Sequence, residues 1–121
     1  MSVVIVDDSE VVREHLRTLF KEHDIPVVGD AEDITMGLSL ILAHKPSHVI
    51  LDIQMPGGSG FSLLNYLRSR RIDSTVIIFS NYSNELYRAQ AQMFGANYYY
   101  DKSTDCDRLL EVIKGDKVVI G

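Results

Sequence analysis

The 121-residue sequence predicts an α/β domain built on a doubly wound, five-stranded parallel sheet with five helices on its two faces. Five short runs of β-branched and aliphatic residues alternate with segments whose apolar residues recur at helical spacing. The connections are short and imply right-handed crossovers, which place helices on both faces of the sheet. With 45% hydrophobic and 24% charged residues, the chain suits one domain with a single core.

The first strand is the run 3–6, whose uninterrupted β-branched character is typical of a strand buried on both faces. It ends at Asp7 and Asp8. Ser9 is a suitable N-cap for the helix that follows. That helix presents one apolar face, formed by Val12, Leu16, Leu19 and Phe20.

The second strand is expected over residues 25–28, at an edge of the sheet because Pro26 cannot donate to a ladder. Asp33 is the expected cap of the second helix, which the Lys-Pro pair at 45–46 ends. Its apolar positions repeat the spacing of the first helix and are Ile34, Leu38, Ile41 and Leu42.

The third strand, 48–51, ends at Asp52, and we interpret the glycine-rich stretch 57–60 after it as a flexible loop. A third helix follows, with apolar positions at Phe61, Leu64 and Leu67. The fourth strand, 75–79, ends at Ser80.

The fourth helix is predicted over 84–94, with Gly95 as a left-handed C-cap. A fifth strand at 98–100 and a last helix at 105–114 complete the alternation. We therefore expect a single domain over 1–121 with its core at 3–114, and a tail or linker stub at 115–121.

Composition narrows the function class. A net charge of -5 argues against direct nucleic acid binding, because phosphates select basic surfaces. The single cysteine, Cys106, cannot form an internal disulfide, which suits a reducing compartment. No apolar run reaches the roughly 18 residues that a membrane span needs. We expect a soluble, cytoplasmic protein that does not bind membranes.

Polar side chains follow the predicted strands at the edge where open α/β sheets bind ligands. They are Asp7, Asp8, Asp52, Ser80 and Lys102. Two carboxylates about 4 Å apart repel by roughly 4 kcal/mol at an effective dielectric constant of about 20, so three of them call for a cation. Mg²⁺ prefers oxygen ligands and keeps waters that a phosphate can replace. The pattern predicts a Mg²⁺ site that handles a phosphoryl group.

Asp52 is the best candidate nucleophile, because it stands alone at its strand end and carboxylates accept phosphoryl groups. Lys102 would neutralise the phosphoryl charge, and Ser80 would hydrogen-bond one of its oxygens. Taken singly, Asp7 and Asp8 are more typical of acids that cap a helix, and Asp52 of an acid that caps a turn. Their joint placement favours the chemical interpretation.

Together these motifs resemble the receiver domains of bacterial two-component response regulators, over residues 3–113. The resemblance lies in the run Val6-Asp7-Asp8-Ser9, the stretch 52–60, Ser80 at the end of the fourth strand, and Lys102. It implies a flavodoxin-like fold with strand order 2-1-3-4-5, which the spacing does not supply.

The resemblance also implies roles for individual residues. Asp8 resembles a direct Mg²⁺ ligand and Asp7 a water-mediated one, with Mn²⁺ as an alternative ion. Asp52 resembles the phosphoacceptor that also binds the metal, and Gln54 would add its backbone carbonyl. Ser80 would be the switch hydroxyl, Tyr99 the switch aromatic residue and Lys102 the phosphate counter-ion.

The implied function is a phosphorylation-operated switch rather than an enzyme with an external substrate. A histidine kinase or phosphotransfer protein would phosphorylate Asp52. The surface of helix four, strand five and helix five would then change to control a downstream protein or an output domain, and a homodimer through that surface is a further expectation.

Two alternatives stay open. One is a receiver-like interaction module that takes no phosphate. It is motivated by Ser103, where the family commonly has proline after the lysine, and by Asn81, where it usually has a small residue. The other is a hydrolase that uses Asp52 as its nucleophile.

Overall fold

The computed structural model describes residues 1–82 and 84–117 and confirms the doubly wound α/β architecture. The strands of its parallel sheet are β1 (Val3–Val6), β2 (Val27–Ala31), β3 (His48–Leu51), β4 (Thr75–Ser80) and β5 (Tyr98–Asp101). They are arranged in the order β2-β1-β3-β4-β5, which is the flavodoxin-like order that the resemblance implied.

Helices cover both faces of this sheet. They are α1 (Glu10–Glu22), α2 (Ile34–His44), α3 (Gly60–Ser69), α4 (Glu85–Met93) and α5 (Cys106–Lys117). Ser9, Asp33 and Asn84 cap α1, α2 and α4, each by accepting a backbone N–H with its side-chain oxygen.

Alternate residues of each central strand feed two separate apolar cores. Val3 and Ile5 of β1 pack with α1 and α5, whereas Val4 and Val6 pack with α2, α3 and α4. The four side chains of β1 have no exposed surface, so β1 is fully buried between the two cores. The sheet is therefore packed on both faces, and this packing positions its strand ends.

The second strand lies at the sheet edge as predicted, but it is Val27–Ala31 rather than 25–28. The Ile25 N–H bonds to the Phe20 carbonyl at 2.8 Å and so belongs to the turn after α1. The strand continues instead through Gly29, where Leu40 of α2 packs against the backbone. Gly and Asp have low strand propensity, so the sequence pattern hid this half of the strand.

The glycine-rich stretch is not simply a flexible loop, as we had interpreted it. Gln54–Met55 and Gly58–Ser59 form a two-stranded antiparallel hairpin, with Gly57 in the left-handed region at φ 86°. α3 begins immediately afterwards at Gly60. A Cβ atom at Gly60 would lie 2.0 Å from the Asp52 carbonyl oxygen, so only glycine fits there.

α5 runs three residues past the predicted helix end at 114, into the segment that we assigned to the tail. Residues 118–121 of that segment lie outside the described residues. Within the ranges 1–82 and 84–117, no helix combines the length and apolar character needed to cross a membrane.

Candidate functional site

The carboxyl ends of four strands bring the predicted polar residues together. Asp7 follows β1 and Asp52 follows β3, and the two strands are in register, so Val6 is paired with Leu51. Backbone hydrogen bonds extend this pairing, because the Asp52 N–H donates to the Val6 carbonyl at 2.9 Å and the Lys102 N–H to the Ser80 carbonyl at 3.0 Å. The sheet itself thus fixes where each side chain starts.

Three carboxylates converge at this edge. One oxygen from each of Asp7, Asp8 and Asp52 lies within 4.8 Å of the other two. Asp7 and Asp52 are 3% and 7% exposed, whereas Asp8 is exposed to solvent. Two buried carboxylates and one solvent-accessible carboxylate thus offer oxygen ligands that suit a small, hard divalent cation.

Lys102 bridges the two buried acids. Its Nζ lies 2.6 Å from Asp7 Oδ2 and 3.1 Å from Asp52 Oδ2, and its side chain is only 10% exposed. The remaining oxygen of each acid accepts a backbone N–H, from Ser9 at 2.9 Å and from Ile53 at 2.8 Å. Both buried carboxylates are therefore held in fixed orientations.

Burial and neighbouring charges shift the pKa values of Asp52 and Lys102. Burial raises the pKa of Asp52, with the Lys102 charge opposing the rise and Asp7 adding to it. Burial alone would lower the pKa of Lys102, but its hydrogen bond to Asp7 and the charges of Asp52 and Asp7 raise it overall. The lysine therefore stays protonated beside the buried carboxyl groups.

An open pocket of about 520 Å³ gives access to this cluster. Its lining includes Asp8, Asp52, Gln54, Asn81, Tyr82 and Lys102. Gln54 and Tyr82 are exposed and line the same pocket as Asp52. Asn81, which departs from the family pattern, is part of the same wall, and the Lys102–Ser103 peptide bond is trans.

Ser80 and Tyr99 meet at a residue whose backbone was not singled out from the sequence, Tyr82. The Ser80 hydroxyl is fully buried and accepts the Tyr82 N–H at 3.0 Å. The Tyr99 hydroxyl donates to the Tyr82 carbonyl, and the Arg88 guanidinium lies 4.7 Å from the Tyr99 ring centre. The two predicted switch residues are thus connected through the Tyr82 peptide segment and through a direct hydrogen bond between their side chains.

Sequence reasoning missed two residues that shape the site. Gly60 allows the start of α3 to approach the Asp52 carbonyl, and Arg13 of α1 donates to the Asp7 carbonyl at 2.7 Å. The signal available for Arg13 was its position off the apolar face of α1, one helical turn after the N-cap Ser9.

Comparisons with known proteins point to one family. Residues 3–114 match the model of the response regulator receiver domain family. The chain is 32% identical over 115 residues to the transcriptional regulatory protein DegU of Brevibacillus brevis, covering 94% of this chain and 49% of that protein. It is 34% identical over 117 residues to a nitrate/nitrite response regulator protein homolog of Haemophilus influenzae, covering 94% and 55%.

Solved structures give the same picture. The crystal structure of a LuxR-family DNA-binding response regulator from Staphylococcus aureus superimposes with a TM-score of 0.88 at 29% identity, covering 94% of this chain and 96% of that one. The chain spans about half the length of the curated relatives it matches.

Proposed function

The chain belongs to the response regulator receiver domain family, and on that basis we propose that it is a signalling switch operated by phosphorylation of Asp52. The strongest support is one contact: Asp52 Oδ2 lies 3.1 Å from the Lys102 ammonium, and both side chains line an open pocket. Phosphoryl transfer depends mainly on positioning and charge stabilisation, which a fixed carboxylate beside a fixed cation provides.

The acid cluster fits a Mg²⁺ ion, which when bound would neutralise phosphoryl oxygens. Asp8 would bind the ion directly and Asp7 through a water molecule. Asp52 and the backbone carbonyl of Gln54 would complete the protein ligands, and Mn²⁺ would suit the same oxygen donors. The spacing of the three acids supports this assignment, since one oxygen from each could contact the same ion.

In the proposed reaction, an Asp52 carboxylate oxygen attacks the phosphorus of a phosphohistidine on a histidine kinase or phosphotransfer protein. The new O–P bond forms as the N–P bond breaks, and the imidazole that leaves takes up a proton from solvent. In the product, a phosphoryl group with about 1.5 to 2 negative charges replaces the single charge of the Asp52 carboxylate, and Lys102 offsets part of this charge. The chain modifies only itself, and water later hydrolyses the aspartyl phosphate.

The switch would operate through Tyr82. Phosphoryl oxygens near Asp52 would accept a hydrogen bond from the Ser80 hydroxyl, and rotation of that hydroxyl toward them would weaken its present bond from the Tyr82 N–H. Movement of Tyr82 would alter its carbonyl contact with Tyr99 and shift the start of α4. Phosphorylation can only bias conformations that the domain already samples, so both arrangements must exist beforehand.

The surface of α4, β5 and α5 is the proposed output surface. Leu86 and Met93 on α4 are 67% and 77% exposed, which leaves apolar area for a downstream protein, an output domain or a second copy of the chain. The relative DegU is named a transcriptional regulatory protein, and an output domain of that kind would lie outside this chain. A cytoplasmic location would suit a histidine kinase partner.

The direct test is phosphorylation by a small phosphodonor such as phosphoramidate, followed by intact-protein mass spectrometry. Wild type should gain one phosphoryl group only when Mg²⁺ is present, and Asp52→Asn should gain none. Asp24→Asn is a matched control, because Asp24 is an exposed acid in the left-handed region, where asparagine is tolerated. Absence of labelling in wild type would favour the rival, an interaction module that takes no phosphate.

A further inference from the structure

Arg13 connects the acid pair to the edge of the sheet. Its guanidinium Nη1 donates to the Asp7 carbonyl at 2.7 Å, and its Nε donates to Asp30 Oδ2 on β2 at 2.9 Å. The side chain is 12% exposed. We infer that Arg13 is a positioning residue that sets the geometry of Asp7 and Asp8 for divalent cation binding, an inference that rests on the proposed function.

The carbonyl that Arg13 binds belongs to the peptide group between Asp7 and Asp8. The rotation of that peptide plane decides where both side chains leave the backbone. Asp7 is also held by its own N–H, which donates to the Ala31 carbonyl of β2 at 2.9 Å, and by its carboxylate contacts. Asp8 is exposed, so the direction of its carboxylate depends on this peptide group.

Asp30 gives Arg13 a fixed anchor. Its Oδ2 accepts from Arg13 and also from Arg17 Nη1, at 2.6 Å. Charge-assisted hydrogen bonds with little exposure to water are among the stronger ones, and a guanidinium can address two acceptors in one plane. The two hydrogen bonds of the Arg13 guanidinium therefore connect the turn between β1 and α1 to β2. Groups that orient metal ligands in this way typically change metal affinity by about 10- to 100-fold when removed.

Arg17 offers a matched control, because it shares Asp30 from a more exposed position, 39% against 12%, and within residues 1–82 and 84–117 its ion pair is with Asp30. If Arg13 only held α1 against β2, substitution of either arginine would change cation affinity to a similar extent. If it acts on the Asp7–Asp8 peptide group, only Arg13 should affect cation affinity.

The experiment measures Mg²⁺ affinity by isothermal titration calorimetry, without a phosphodonor, for wild type, Arg13→Gln, Arg13→Lys, Asp30→Asn and Arg17→Gln. We expect roughly tenfold weaker binding in Arg13→Gln, a smaller loss in Arg13→Lys and Asp30→Asn, and a change of less than about twofold in Arg17→Gln. Thermal unfolding without Mg²⁺ shows which variants fold. If Arg13→Gln does not fold, the loss of Mg²⁺ affinity expected in Arg13→Lys tests the inference instead.

A second readout separates affinity from chemistry. With phosphoramidate, Arg13→Gln should need roughly tenfold more Mg²⁺ for half-maximal labelling, yet reach a maximal rate close to that of wild type. Equal Mg²⁺ affinity in Arg13→Gln and wild type, or an equal loss in Arg17→Gln, would overturn the inference. Wild type that binds Mg²⁺ but is never labelled would contradict the proposed function instead, while the calorimetric comparison would still decide the role of Arg13.

Discussion

Lys102 Nζ donates a hydrogen bond to Asp52 Oδ2 at 3.1 Å, although the two residues are fifty positions apart in the chain. The contact exists because β3 and β5 end at the same edge of a parallel sheet, with β4 between them. It places a permanent cation beside the proposed phosphoacceptor. The behaviour of this pair under substitution, pH change and metal binding is therefore the main source of predictions.

Replacing Lys102 by Met removes the cation but keeps much of the side-chain volume. Asp7 and Asp52 would be left buried without their partner, which we expect to cost about 3 kcal/mol of unfolding free energy in the absence of Mg²⁺. Added Mg²⁺ should recover part of that loss by mass action. Urea denaturation with and without Mg²⁺ measures both effects.

The same substitution should slow labelling of Asp52 by roughly a hundredfold or more, since a fixed charge beside the transferred group is lost. Lys21→Met is the control, because Lys21 is an exposed lysine on α1. Labelling of Lys102→Met at the wild-type rate would show that the lysine has no part in the transfer.

Replacing Asp52 by Asn should stabilise the metal-free chain at neutral pH. Burial raises the pKa of Asp52, so the folded state disfavours its ionised form. The wild-type penalty is absent below the unfolded pKa of about 3.9 and is complete once the pH exceeds the raised folded value. Thermal melts from acidic to neutral pH should show the two curves diverging as the pH rises. A variant less stable than wild type at neutral pH without Mg²⁺ would contradict this electrostatic account.

Replacing Gly60 by Ala should displace the backbone of Asp52. The new Cβ would lie 2.0 Å from the Asp52 carbonyl oxygen, a backbone atom that cannot move without displacing the acceptor. We expect a loss of more than about 2 kcal/mol in unfolding free energy together with slower labelling. Gly115→Ala is the matched control in α5, where nothing lies within 4 Å and alanine should stabilise the helix by up to about 1 kcal/mol.

Replacing Tyr99 by Phe should separate the chemistry from the switch. The hydroxyl that donates to the Tyr82 carbonyl is lost, whereas the side chains lining the acceptor pocket are unchanged. Labelling of Asp52 should match wild type, and the ¹H–¹⁵N spectral changes that beryllium fluoride induces in α4 should shrink. Tyr98→Phe is the control, since that ring stacks on Tyr100. Unchanged spectral shifts in Tyr99→Phe would exclude the proposed route through Tyr82.

Much of the architecture could be predicted from the sequence because its signals are local. The β-branched runs, the caps at Ser9 and Asp33, and the apolar spacing of α1 each depend on residues close together in the chain. The convergence of Asp7, Asp52 and Lys102 then followed from one rule about parallel strand ends. Family resemblance was needed for the strand order and for the predicted roles of Gln54 and Tyr99.

The parts that were missed depend on distant contacts. β2 continues through residues of low strand propensity because β1 pairs with them, and the glycine-rich stretch pairs with Gln54 and Met55 in a hairpin that ends where Gly60 packs on Asp52. The Arg13 contact with Asp7 joins a helix to a strand end through geometry that no spacing rule encodes. The meeting of Ser80 and Tyr99 at Tyr82 is of the same kind.

The most direct measurement is a crystal structure of the chain soaked with Mg²⁺ and beryllium fluoride. Our account predicts fluoroberyllate on an Asp52 carboxylate oxygen, a metal ion held by Asp7, Asp8 and Asp52, and Lys102 Nζ bonded to a fluorine. Beryllium absent from Asp52 at saturating concentrations, or a metal ion bound away from these acids, would contradict the central claim.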